Sequence, residues 1–206
     1  MKRIFVSVVM VVLLGLIPTA AFPWTLEQYG TLGSYHYENS GDYLGTVVAD
    51  VEPGGVNDNI VLVEAVLHQI GGDFAGVELT GYSKVESPAT SSSEGNFSMY
   101  LTYWGDGSGE WATFEPVVAS PIPEGSTLVD FYVVKGSTQF ALYWEDPAAA
   151  YGTWNVENLR TATGGVPSIS HFTGYTTGGA SVPEPATILL LGCGLLGVAG
   201  VRKFKK

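Results

Sequence analysis

Two uncharged apolar stretches, residues 4–17 and 186–201, constrain this chain more than any other feature, because neither is stable in water and only the part between them can fold there. The first follows Met1, Lys2 and Arg3 and runs into Pro18, Thr19, Ala20 and Ala21. Charge, apolar run and small residues in that order make a secretory signal over residues 1–21, with cleavage expected after Ala21. The run is shorter than the roughly 20 apolar residues that a spanning helix needs, and Pro18 closes it. The second stretch reads as a transmembrane helix. At about 1.5 Å per residue it reaches roughly 24 Å, a little short of a hydrocarbon core of about 30 Å, and local thinning or snorkelling lysines can close the gap. Arg202, Lys203, Lys205 and Lys206 follow it at residues 202–206 and are expected to hold that end in the cytoplasm, which leaves the middle of the chain outside.

Just before the second stretch stand Val182, Pro183, Glu184 and Pro185. Both prolines lack a backbone donor and bias the preceding residue away from helix, so the segment is expected to be extended and open to a protease. Together, Val182-Pro183-Glu184-Pro185, the Gly- and Leu-rich run and the basic end resemble the PEP-CTERM sorting tail over residues 183–206. The resemblance implies export through the Sec translocon, removal of the signal by signal peptidase and transient anchoring in the inner membrane. A membrane exosortase then cuts near Pro-Glu-Pro, in a diderm bacterium that makes exopolysaccharide. Gly194, Gly197 and Gly200 lie on one face of the run, where small residues admit a second helix; glycine is also simply frequent in membrane helices. Cys193, the sole cysteine, lies in the run, so the outer domain has no disulfide. It reads as small apolar filler, with acylation or a sorting-linked thiol role as alternatives.

Residues 22–181 carry 19 acidic and 3 basic side chains, Lys84, Lys135 and Arg160, for a net charge of −16. Such a surface repels polyanions, so nucleic acid is excluded as a partner and acidic polysaccharide is disfavoured, while neutral glycans are not. The same segment holds 23 aromatic residues and 22 glycines, which favours short strands joined by tight turns over disorder. Its size suits one domain, placed at residues 22–173 with a flexible stalk at 174–182.

A two-residue alternation puts Phe97, Met99, Leu101 and Tyr103 on one face of a strand, and the glycines of 105–109 turn it into a partner beginning near Glu110. A second hairpin alternates Val129, Phe131 and Val133, turns at residues 135–137 and returns through Phe140, Leu142 and Trp144. Further strands are expected at 29–37, 43–51, 77–85 and 168–176. One helix is expected behind Asn57 or Asp58 as cap, with Ile60, Val63, Leu67 and Ile70 on its buried face, Glu64 paired with His68, and Gly71-Gly72 ending it. Asn155 is expected to cap a short helical turn through Leu159, and residues 87–95 to form an exposed loop. The fold class is mainly β: an antiparallel β-sandwich, jelly-roll-like, with one short α-helix. Residues 132–172, through Trp144-Glu145-Asp146-Pro147 and Gly152-Thr153-Trp154, also loosely resemble the closing part of PEP-CTERM outer domains, which implies a shared scaffold and no particular chemistry.

No cofactor is expected. His36, His68 and His171 lack zinc-ligand spacing. Ser168 and Ser170 stand near His171, but neighbours on a strand point to opposite faces, and His171 reads as structural. Asp106 and Glu110 are weak calcium candidates in a hairpin loop, and residues 51–58 form a second acidic loop of the same kind. The expected function is that of a non-enzymatic surface or matrix protein associated with exopolysaccharide or biofilm. The first alternative is a carbohydrate-binding module that uses Trp104, Trp111, Trp144 and Trp154. The second is a polysaccharide hydrolase, which needs two facing carboxylates.

Overall fold

The computed structural model describes residues 24–30, 34–49, 56–117, 120–161 and 163–178. The signal, the sorting tail and the acidic residues 51–55 lie outside the described residues. Ten strands form two antiparallel sheets. They are β1 (Trp24–Glu27), β2 (Asp42–Ala49), β3 (Gly81–Glu86), β4 (Glu94–Gly95), β5 (Tyr100–Leu101), β6 (Ser108–Ala112), β7 (Val129–Lys135), β8 (Gln139–Ala149), β9 (Tyr151–Asn155) and β10 (His171–Thr176). The larger sheet runs β1-β2-β8-β7-β10-β3-β4 and the smaller β5-β6-β9, and no closed barrel forms among the described residues. A division into seven and three strands departs from the jelly-roll expectation, in which eight strands share two sheets.

The β7–β8 hairpin lies inside the large sheet, and both its faces are buried. Tyr132, Val134, Ala141 and Tyr143 face the small sheet, where they meet Leu101, Trp111 and Trp154. Phe131, Val133, Phe140 and Leu142 face a helix, α1 (Ile60–Ile70), through Val63, Val66 and Leu67. A near-continuous apolar run is what a strand covered on both sides requires. Alternation therefore read only half of β7. It also placed Val129 with Phe131 and Val133, whereas the register shifts between Val129 and Phe131 and turns Val129 into the other core. Tyr132 stacks on Tyr143 and on Phe172, with ring centroids 4.8 Å and 5.2 Å apart. Contacts of this kind add about 0.5–1.5 kcal/mol each beyond the area they bury.

Helix α1 begins one or two residues later than expected. Asn59 is the cap, its side chain accepting from Leu62 N at 3.0 Å. Asp58 is drawn into the sheet instead. The helix ends where Gly71, at φ 75°, turns its N–H back to Leu67 O, a conformation that favours glycine. Glu64 and His68 do not pair with each other. Glu64 Oε1 accepts from Leu79 N at 2.7 Å, and His68 Nε2 lies 2.8 Å from Val77 O, so both clamp the chain that returns toward β3. Helix α1 is rich in β-branched residues, and it is held by burial of Val63, Val66 and Leu67 rather than by propensity.

Four further expectations change. No strand forms at the described residues 29–30 and 34–37; β1 precedes them, and residues 34–41 cross the sandwich as an irregular strap. The 87–95 loop ends in the short edge strand β4, paired with β3. Strand β10 continues through Thr176, so Gly174, Tyr175 and Thr176 belong to the sheet and not to a stalk. Gly174 is small for a reason: a Cβ there would collide with Met99 Cε. The 155–159 segment is a turn rather than a helix, with Asn155 Oδ1 accepting from Glu157 N at 2.8 Å.

Candidate functional site

Alternate residues on β10, namely His171, Thr173 and Tyr175, share the face that turns toward α1, and Asp58 enters that face from the loop before the helix. Its Oδ1 lies 2.7 Å from His171 Nε2, its Oδ2 accepts from Thr173 Oγ1 at 2.7 Å, and its carbonyl accepts from the Tyr175 hydroxyl. Burial alone would raise the Asp58 pKa, but the His171 and Thr173 hydrogen bonds outweigh it, and the carboxyl is held below its ordinary value. Ser170 Oγ lies 3.5 Å from His171 Nδ1, so serine, histidine and aspartate do line up. That distance is too long for useful proton transfer, and His171 is buried. What the cluster does is fasten the start of α1 to the sheet. Beside it, burial lowers the Lys135 pKa against the opposing pull of Asp58, and Lys84 pairs with Glu86 at 2.7 Å. A mainly apolar groove of about 1010 Å³ opens over this corner, between Trp24, Val61 and Tyr82.

The four tryptophans do not form a surface. Trp111 and Trp154 are fully buried between the sheets, which corrects their assignment as glycan contacts. Their flat rings are what fills the space between two sheets. Trp144 is half-buried against Phe74, at a centroid distance of 5.1 Å. Only Trp104 is exposed, at 42 %, and it joins His36 and Tyr37, with ring centroids 4.7 Å and 5.8 Å away.

Asp106 and Glu110 are brought into one hairpin but not to one point. Asp106 Oδ1 accepts from Ser108 N at 3.0 Å and Ser108 Oγ at 2.6 Å, and its other oxygen accepts from His36 N. These bonds hold the Asp106 pKa below its usual value. Glu110 Oε1 accepts from the Tyr151 hydroxyl at 2.5 Å, and burial together with this bond pushes Tyr151 up to about 12. No group of three or more His, Cys, Asp or Glu suited to a metal ion occurs among the described residues.

A polar cleft of about 540 Å³, unread in the sequence, lies where the 34–41 strap crosses β2, β8 and the end of β9. Tyr35, Tyr37 and Tyr43 contribute rings, and Glu38, Asn39 and Glu157 contribute polar atoms. Asn39 fixes the strap: its Oδ1 accepts from Asn155 N at 2.9 Å, and Asn155 Nδ2 donates to Tyr37 O at 2.9 Å. With its orientation set, Asn39 Nδ2 faces three acceptors, Asn155 Oδ1 at 2.8 Å, Glu157 Oε1 at 2.9 Å and the Tyr143 hydroxyl at 3.2 Å. An amide has only two protons, and two of these acceptors have further donors, Glu157 N on Asn155 Oδ1 and Asn158 Nδ2 on the Tyr143 hydroxyl. The Tyr35 hydroxyl is shielded from solvent and has no hydrogen-bond partner. The only signal for this cleft in the sequence was the density of Tyr, Asn and Glu in residues 34–43, which alternation does not register.

An acidic, mainly β domain followed in the sequence by Pro-Glu-Pro, an apolar run and a basic end defines a class, that of exported proteins with a C-terminal sorting signal. The particular signal is the PEP-CTERM protein-sorting motif, whose family model matches residues 181–203. The chain thus carries a PEP-CTERM sorting motif, which implies export, processing by an exosortase and sorting to the cell surface. The match covers the tail and not the β-rich domain. Neither the curated proteins nor the solved structures gave a significant match to the chain. Among the described residues no helix is long and apolar enough to cross a membrane, and the expected span at 186–201 lies outside them.

Proposed function

We propose that the protein is a non-enzymatic component of the cell surface or extracellular matrix, associated with exopolysaccharide or biofilm. In this reading residues 1–21 are removed after export, residues 186–201 anchor the chain transiently in the inner membrane, and the exosortase cuts near Pro183 to Pro185. The observation that carries it is the sorting motif at 181–203, followed after Phe204 by Lys205 and Lys206. Intact mass of the protein from the native host's envelope and medium tests it. Loss of residues 1–21 together with a cut near Pro183 to Pro185 is expected. A mass that retains residues 186–206 would overturn the transient anchor.

A second reading, glycan binding by the outer domain, is favoured by one arrangement: the exposed ring of Trp104 stands beside His36 and Tyr37, and Tyr37 lines a polar cleft. Planar rings suit the flat faces of sugars. The net charge of −16 on residues 22–181 narrows the choice to glycans without charge.

A further inference from the structure

We infer that the cleft between the 34–41 strap and the end of β9 binds a neutral polysaccharide segment, with Tyr37 and Trp104 continuing the site onto the surface. This rests on the glycan-binding reading and moves its site away from the tryptophans as a group. A volume of about 540 Å³ suits one or two sugar rings and lies within the usual range for small-ligand sites, roughly 300–1,000 Å³. The walls offer what a sugar needs. Tyr35, Tyr37 and Tyr43 supply apolar ring surface, while Glu38 and Glu157 supply acceptors for hydroxyl donors.

Unmet polar capacity points to a ligand here rather than to a finished core. The Tyr35 hydroxyl makes no bond, whereas the acceptors around the Asn39 amide are served, Asn155 Oδ1 also by Glu157 N at 2.8 Å and the Tyr143 hydroxyl also by Asn158 Nδ2 at 3.2 Å. A buried polar group left unbonded is unfavourable, and a hydroxylated ligand reaching it would offset that cost. Glu157 has one carboxylate oxygen on Asn39 and its second free of protein donors, and Glu38 has no side-chain bond.

Charge decides the class of sugar. Among the described residues no lysine or arginine lines the cleft, and nearby Arg160 directs its guanidinium to the carbonyls of Glu157, Leu159 and Gly30 while lying over the Tyr29 ring. The two carboxylates outnumber this one guanidinium, and with the net charge of −16 on residues 22–181 they repel uronic or sulfated chains. The Tyr37 and Trp104 rings meet edge to face, 5.8 Å apart at 79°, so a chain leaving the cleft on the Tyr37 ring meets the Trp104 ring as a wall.

The test is titration of the full-length protein, held in a detergent without sugar, with neutral gluco-, manno- and galacto-oligosaccharides, and with alginate fragments as the anionic comparison. Calorimetry and the Trp104 emission, isolated by subtracting Trp104→Phe, report binding. Saturable binding of at least one neutral series is expected, weakened at least tenfold by Tyr37→Ala and by Glu157→Gln and unchanged by Glu94→Gln in the other groove. Should Glu157→Gln fail to fold, Glu38→Gln, which breaks no bond, takes its place. Neutral binding that ignores the cleft variants would overturn the site and leave glycan recognition standing. Preference for alginate, or no binding to any neutral series, would overturn both.

Discussion

Replacing Asp58 by alanine removes the carboxylate that joins α1 to β10, and the structure sets the size of the loss. Two buried partners, His171 Nε2 and Thr173 Oγ1, lose their acceptor, while the Tyr175 hydroxyl keeps the backbone carbonyl of residue 58. Each buried polar group left unmade costs about 1–3 kcal/mol, so a loss of roughly 2–5 kcal/mol is expected against a total stability of about 5–15 kcal/mol. At about 2–4 °C per kcal/mol for a domain of this size, the melting midpoint should fall by roughly 5–15 °C. The loss also has a pH signature. Since the folded carboxyl titrates below its ordinary value, the stability it contributes is present above the unfolded pKa, near 3.8, and disappears as pH falls through the folded value. Urea titrations between about pH 2.5 and 7 of the parent and of Asp58→Asn should therefore diverge at neutral pH and converge in acid. Adding Thr173→Val to Asp58→Ala should cost less than the separate losses together, because the orphaned hydroxyl is gone. A loss below about 1 kcal/mol, or an acid slope that survives in Asp58→Asn, would refute the account of how the helix is held.

Trp111→Ala should destabilise by about 3–5 kcal/mol and Trp104→Ala by well under 1, measured by urea unfolding, because one ring is core and the other lies on the surface. Leu67→Ala should cost about 2–5 kcal/mol, and Val61→Ala on the exposed side of the same helix close to nothing. Glu145 is buried beside Ser40, and burial raises its pKa, so its contribution is greatest in acid and is lost as pH rises through the raised value. Glu145→Gln should accordingly stabilise the domain at pH 8 relative to the parent and gain nothing at pH 4; equal effects at both would exclude a buried, reluctant carboxylate.

The hairpins were legible in the sequence because their signals are local. Residues 105–107 turn β5 toward β6 and residues 136–138 join β7 to β8, each flanked by aromatic and β-branched residues. The helix was legible too, apart from its cap. Asn57, Asp58 and Asn59 are equivalent cap formers in isolation, and the choice among them is made by β10, more than a hundred residues away, which recruits Asp58. The same long-range competition separates Glu64 from His68: their spacing permits a pair, but two backbone groups of the returning chain offer partners that are otherwise unsatisfied. What alternation could not reveal is that a helix covers one face of the large sheet and a second sheet the other, since period-two patterns describe strands with one wet face.

The candidate site was illegible for a different reason. Trp111 and Trp154 are candidates for sugar contact by residue type alone, yet the same breadth of ring that suits a sugar suits the gap between two sheets, and in a domain without disulfides the core has first use of it. Tyrosine resolves the competition by atom. Tyr143 is fully buried, and its hydroxyl meets Asn39 and Asn158 at the rim of the core. Tyr35 and Tyr43 likewise pack against that core while lining the cleft above it. A recognition surface built this way draws on residues 34–43, 143 and 155–157, which only the crossing of strap, β8 and β9 brings together. It costs the fold little, because the rings that would face a ligand already belong to the layer that closes the sandwich.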